Sequence, residues 1–156
     1  VFIDKAPLNF KYIGFIKKIF PNSKIINCNR NGLDVCWSNF KNYFAESLPF
    51  TNSLEDLAHF FKLYEDLMNF WANKFPNEVY QMNYDQLVED SENEIKKLLN
   101  FCELEWDPNC MRHEQNTKTI KTASATQVRK PINKDGLKTF EPFKNYLVEI
   151  SKLLNN

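Results

Sequence analysis

Glycine is scarce in this chain of 156 residues, with only Gly14, Gly32 and Gly136. None lies in a Gly-rich phosphate loop, so neither a Walker-type nor a dinucleotide-binding fingerprint is present. No Gly-x-Ser-x-Gly turn exposes a nucleophilic serine. Histidine is limited to His59 and His113, too far apart in sequence to support a Ser-His-Asp triad. Cys28, Cys36, Cys102 and Cys110 form no Cys-x-x-Cys pair. That argues against a metal site and for buried free thiols in a reducing, cytoplasmic setting. Net charge is also missing: 20 basic and 20 acidic residues cancel. The chain as a whole is then no polyanion binder, nucleic acid is not an expected partner, and any anion site must be local. No apolar run approaches membrane-spanning length, so no membrane span is expected.

What is present reads as one α/β domain with a parallel sheet. Val1 to Ile3 reads as the end of a buried strand whose upstream partner is missing, so a partial domain spanning 1–156 is expected. Apolar residues at helical spacing predict a helix over 8–20, with Pro7 in its first turn and Pro21-Asn22 as its stop. Ile25 and Ile26 belong to a second strand, followed by a helix from about Leu33 to Phe44. The longest helix is predicted over 54–75, capped by Ser53, with a stripe of Leu57, Phe60, Phe61, Tyr64, Leu67, Met68 and Trp71. Such a stripe reads as core. A third strand over 78–82, a helical turn over 84–88, an amphipathic helix over 92–101 and a closing helix over 143–154 complete the pattern. Residues 115–136 are the longest stretch without periodicity, and loops of that length are functional or disordered.

The stretch from Lys24 to Ser38 carries the most chemistry. It reads as strand, tight turn and helix start, with Arg30 at the strand's end and Ser38 two turns into the helix. A guanidinium offers paired donors to phosphate oxygens, and a helix N-terminus adds free N–H groups and partial positive charge. Asn31 and Asp34 resemble a capping box with a short acid, and Gly32 permits the turn. The alternative is a surface arginine and a serine bonded back to its own helix. Lys5 follows a strand end, where open α/β sheets bind ligands, or is a solvated surface lysine. Tyr84 follows the third strand and either stacks on a base or simply packs. The loop Thr119 to Lys138 holds Lys121, Arg129, Lys130, Lys134 and Lys138 against one acid, Asp135, with Thr122, Ser124 and Thr126 among them. It is either solvated or folded over an anionic ligand.

Four segments in order resemble the later part of a sulfotransferase domain dependent on 3′-phosphoadenosine 5′-phosphosulfate (PAPS). They are Asp4-Lys-Ala-Pro-Leu8, Phe20 to Ile26 running on to Arg30 and Ser38, Tyr84 to Asp90 with the helix to Phe101, and Thr122 to Ile132. The likeness is to bacterial tetratricopeptide-associated and tyrosylprotein sulfotransferases. It implies a P-loop-like α/β sandwich, here lacking its N-terminal strand, its 5′-phosphosulfate loop and the segment with the catalytic base. By resemblance, Arg30 and Ser38 bind the 3′-phosphate of PAPS or of its product adenosine 3′,5′-bisphosphate (PAP), and Tyr84 contacts the adenine. Lys5 and Ser124 stabilise the transferring sulfuryl group. Lys130 and Lys138 lie in the basic loop over the cofactor; Thr139 stands where a relative has a basic residue, and Asn31 where the family often has an acid. The implied acceptor is a peptide tyrosine, a sugar or a small molecule, with Ala45 to Phe50 as a candidate wall. Three other readings stand beside this one: a truncated, non-catalytic scaffold, a nucleotide kinase without visible Walker lysine or magnesium ligands, and a helical interaction domain built on the long aromatic helix.

Overall fold

The computed structural model describes residues 2–42, 44, 48–116 and 129–155. Part of the candidate acceptor wall (45–47) and the expected loop residues Lys121, Thr122, Ser124 and Thr126 lie outside these. Two parallel strands, β1 (Ile25–Asn29) and β2 (Val79–Asn83), form a small sheet. The Ile25 N–H donates to the Glu78 carbonyl at 2.9 Å. Parallel neighbours need a long crossover, supplied here by the helices α2 (Gly32–Lys41) and α3 (Leu54–Lys74). Ahead of β1 come a 3-10 helix, Pro7–Tyr12, and α1 (Ile13–Ile19); after β2 come α4 (Tyr84–Glu89), α5 (Ser91–Phe101) and the closing helix α6 (Val148–Asn155). The chain divides within β2 into two compact units, Val1–Gln81 with Lys138–Asn156, and Met82–Leu137.

In the first unit α3 is the spine. Ser53 accepts the Asp56 N–H at 3.2 Å, acids fill the first turn and Lys74 the last, which suits the helix dipole. Leu57, Ala58, Phe61 and Met68 are its buried residues. Leu57 and Phe61 form a core with Cys36 of α2, against which Val35, Phe50, Tyr64 and Leu154 pack. A second anchor is Lys17, a buried lysine at the end of α1. Its Nζ donates to the carbonyls of Pro21 (2.5 Å) and Ser23 (2.9 Å) and pairs with the Glu78 carboxylate. One charge thus ties α1, the turn before β1 and the lead-in to β2. A polar chain crosses the sheet as well: Tyr64 donates to Asn27 Oδ1 at 2.7 Å, and Asn27 donates to Gln81 Oε1 at 2.8 Å.

Four local expectations are corrected. Phe2 to Ala6 has no regular structure. Phe2 and Ile3 are exposed, not buried as expected. The helix expected over 8–20 is split, because the Trp71 indole takes the Phe10 carbonyl at 2.9 Å, an acceptor that α-helix would give to residue 14. The closing helix is likewise divided into a 3-10 segment, Glu141–Tyr146, and α6. Gly32 has no left-handed φ; space demands it, since a Cβ there would lie 2.8 Å from the Phe61 ring and 3.3 Å from Leu154.

All four cysteines are free, but only Cys36 is buried; Cys28 is exposed and the other two are intermediate. Burial, then the Glu65 carboxylate, pushes the Cys36 thiol up to about 11. An acid whose folded pKa is raised adds stability that is fully present below its unfolded value and lost as pH rises through the folded one. Tyr64, raised mainly by burial, acts in the same sense. Unfolding stability should therefore fall between pH 9 and 11, and Cys36→Ala should flatten that fall, as urea titrations at several pH values would show.

Candidate anion-binding site

The C-terminal end of β1 delivers Arg30 directly to the N-terminus of α2. Asn31 is the cap: its Oδ1 accepts the N–H of Leu33 at 3.0 Å and of Asp34 at 3.3 Å. Half of the expected capping box is thus present. The other half is different, because Asp34 does not reach back toward the cap. Its carboxylate is 1% exposed. Oδ1 accepts the Thr139 N–H at 2.7 Å and the Thr139 hydroxyl at 3.1 Å, and Oδ2 accepts the Lys138 N–H at 3.0 Å. Arg30 Nη2 lies 3.2 Å from Oδ1. The carboxylate therefore holds together two residues that sequence alone placed in separate motifs, Arg30 and Lys138.

Arg30 is not a solvated surface side chain, since only 20% of it is exposed. A guanidinium presents donors in several directions, so it can hold a carboxylate and receive an anion at once. Ser38 lies four residues beyond Asp34 on α2, on the same helical face. Lys138 is exposed and has φ 52°, in the left-handed region. Nearby, Trp37 packs on Phe143 with ring centroids 4.4 Å apart, fixing the outer face of α2. Lys5 is exposed. Its ammonium lowers the Cys28 thiol, partly offsetting the larger upward effect of desolvation by neighbouring atoms, which places it near β1.

In the second unit, Tyr84 opens α4, whose cap Asn83 accepts the Gln86 N–H at 3.0 Å. Its ring closes over Gly136: a Cβ there would meet the hydroxyl and lie 3.2 Å from Cζ. Only glycine lets the basic loop pass the tyrosine this closely. Lys130 is exposed, and its carbonyl lies 3.1 Å from His113 Nε2. The 3-10 helix Pro108–Gln115 packs on α5, and Lys96 of α5 covers the Trp106 ring at 5.0 Å. Ser124 lies outside the described residues.

Sequence reasoning missed the destination of Asp34 and the part of Thr139. The available signal was the short step from Arg30 to Asp34 across the helix cap, which keeps an acid and a base within reach of each other.

A parallel strand followed at once by an arginine and a capped helix is an arrangement suited to receiving an anion. Residues 1–108 match the model of the sulfotransferase family, and the chain belongs to that family. It is 35% identical over 155 residues to an uncharacterised protein of Aquifex aeolicus (strain VF5), covering 97% of this chain and 20% of that protein. Two proteins named as proposed protein-tyrosine sulfotransferases are also similar. That of Caenorhabditis briggsae is 25% identical over 146 residues, and that of Caenorhabditis elegans 24% over 143, each covering 86% of this chain. The chain spans 50% and 54% of those two proteins. Among the described residues, no helix is long and apolar enough to cross a membrane.

Proposed function

We propose that this chain is part of a P-loop-like sulfotransferase domain that transfers a sulfuryl group from PAPS to an acceptor hydroxyl or amine. The observation that carries the reading is the grouping of Arg30, the capped start of α2 and the Lys138 backbone around Asp34, in a chain that belongs to the sulfotransferase family. In this reading Arg30, Ser38 and Lys138 hold the 3′-phosphate, Tyr84 contacts the adenine, and Lys130 lies along the cofactor. Lys5 and Ser124 are assigned, by the family resemblance, to stabilising the transferring group. PAPS supplies an activated sulfuryl group: its bond to the phosphate oxygen breaks as a bond to the acceptor forms, and the acceptor's proton passes to a base. Negative charge grows on the outer oxygens and the leaving phosphate, and fixed cations and hydroxyls lower that barrier. Free cysteines accord with a cytoplasmic location.

The two nematode relatives make a tyrosine-containing peptide the first acceptor to try. Full-length protein incubated with PAPS labelled in its sulfuryl group should pass label to one of a set of peptide, sugar and alcohol acceptors, with release of PAP. PAP binding without transfer to any acceptor would favour the non-catalytic scaffold.

A further inference from the structure

The charge on Asp34 runs against a simple anion site, because a carboxylate beside Arg30 opposes the binding of phosphate. The geometry answers this. Asp34 is buried, and each oxygen accepts a backbone N–H from a loop 104 or 105 residues away. A buried carboxylate persists only when its lone pairs are satisfied. Here they are met by two N–H groups, the Thr139 hydroxyl and the Arg30 guanidinium. Lys138 also sits in a left-handed conformation that a lysine rarely adopts. Its N–H bond to Asp34 fixes it there, and such conformations persist where surrounding contacts enforce them.

We propose that Asp34 is the positioning residue of the anion site: one buried carboxylate sets the guanidinium of Arg30 and the backbone of Lys138 in fixed register, so that both cations meet the 3′-phosphate together. The inference rests on the PAP-binding reading above and assigns Asp34 no contact with the nucleotide. Two opposing effects give it a sign. Simple electrostatics predicts that removing the acid strengthens anion binding. Positioning predicts that removal weakens it.

Asp34→Asn separates the two in full-length protein. Both carboxylate oxygens accept N–H donors, so the amide NH₂ faces a donor whichever way it turns. Calorimetric titration should show PAP binding weakened about tenfold, with adenosine 5′-monophosphate binding unchanged. In the Arg30→Ala background Asp34→Asn should cost clearly less than in the wild type, because only its hold on the Lys138 backbone remains to be lost. Unchanged or tighter PAP binding by Asp34→Asn, or full additivity with Arg30→Ala, overturns the proposal. Thr139→Val, which removes only the hydroxyl bond, should weaken PAP binding a few-fold and serves if Asp34→Asn fails to fold; no change in PAP binding there counts against the proposal. Wild-type protein that does not prefer PAP to the monophosphate refutes the functional reading instead. The linkage is then judged by amide exchange, which Asp34→Asn should speed at Lys138 and Thr139; unchanged exchange there overturns it.

Discussion

Arg30→Ala should raise the KM for PAPS and weaken PAP binding by about 30-fold, roughly 2 kcal/mol for a lost charge-assisted contact. The kcat should change far less. The 3′-phosphate is remote from the bond that breaks, so its contact serves the ground state and the transition state alike. Stability should fall by about 1–2 kcal/mol, because the buried Asp34 carboxylate loses its charged partner while keeping both backbone N–H donors and the Thr139 hydroxyl. Steady-state kinetics, calorimetry and thermal melting on the same preparation check the three parts. A large fall in kcat with KM unchanged would place Arg30 at the transferring group instead. A large loss of melting temperature would make it a structural residue.

Phe61→Ala should destabilise the first unit by about 3–5 kcal/mol, as for a large aromatic removed from a packed core. Phe61 is 9% exposed, packs with Leu57 and Cys36, and lies against Tyr64 with ring centroids 5.6 Å apart. Typical domains have only about 5–15 kcal/mol in total, so this one change removes a large share. Its consequence reaches the site, because the ring packs where Gly32 opens α2. Once binding is corrected for the unfolded fraction, PAP affinity should still be reduced, since the helix that presents Arg30 has lost its seat. Urea unfolding followed by titration in the folded range tests both claims. A loss below about 1 kcal/mol would mean that the α2–α3 contact is not the core of this unit.

Local chemistry was readable where it acts locally. The Ser53 cap and the Leu57–Phe61–Met68 stripe located α3, which runs over 54–74 against an expected 54–75. The Asn31 cap and Pro21-Asn22 bracketed β1 in the same way. What could not be read depends on partners distant in sequence. The Trp71 indole interrupts a helix 61 residues earlier. Gly32 is small because of Phe61, not because of a turn. Lys17 looks like one more surface lysine until Glu78 and the carbonyls of Pro21 and Ser23 close around it. Asp34 is the largest case. An acid in the first turn of a helix ordinarily faces solvent and complements the helix dipole. Only the fold brings Lys138 and Thr139 to it and turns a weak helix signal into the centre of a candidate site.

The most direct test of the central claim, that the start of α2 holds a 3′-phosphate, is a calorimetric titration of full-length wild-type protein. Adenosine 3′,5′-bisphosphate and adenosine 5′-monophosphate would be compared under identical salt. The account predicts tighter binding of the bisphosphate by at least about tenfold, the share of a single well-placed phosphate contact. Equal affinity for the two nucleotides, or binding of neither, would contradict it.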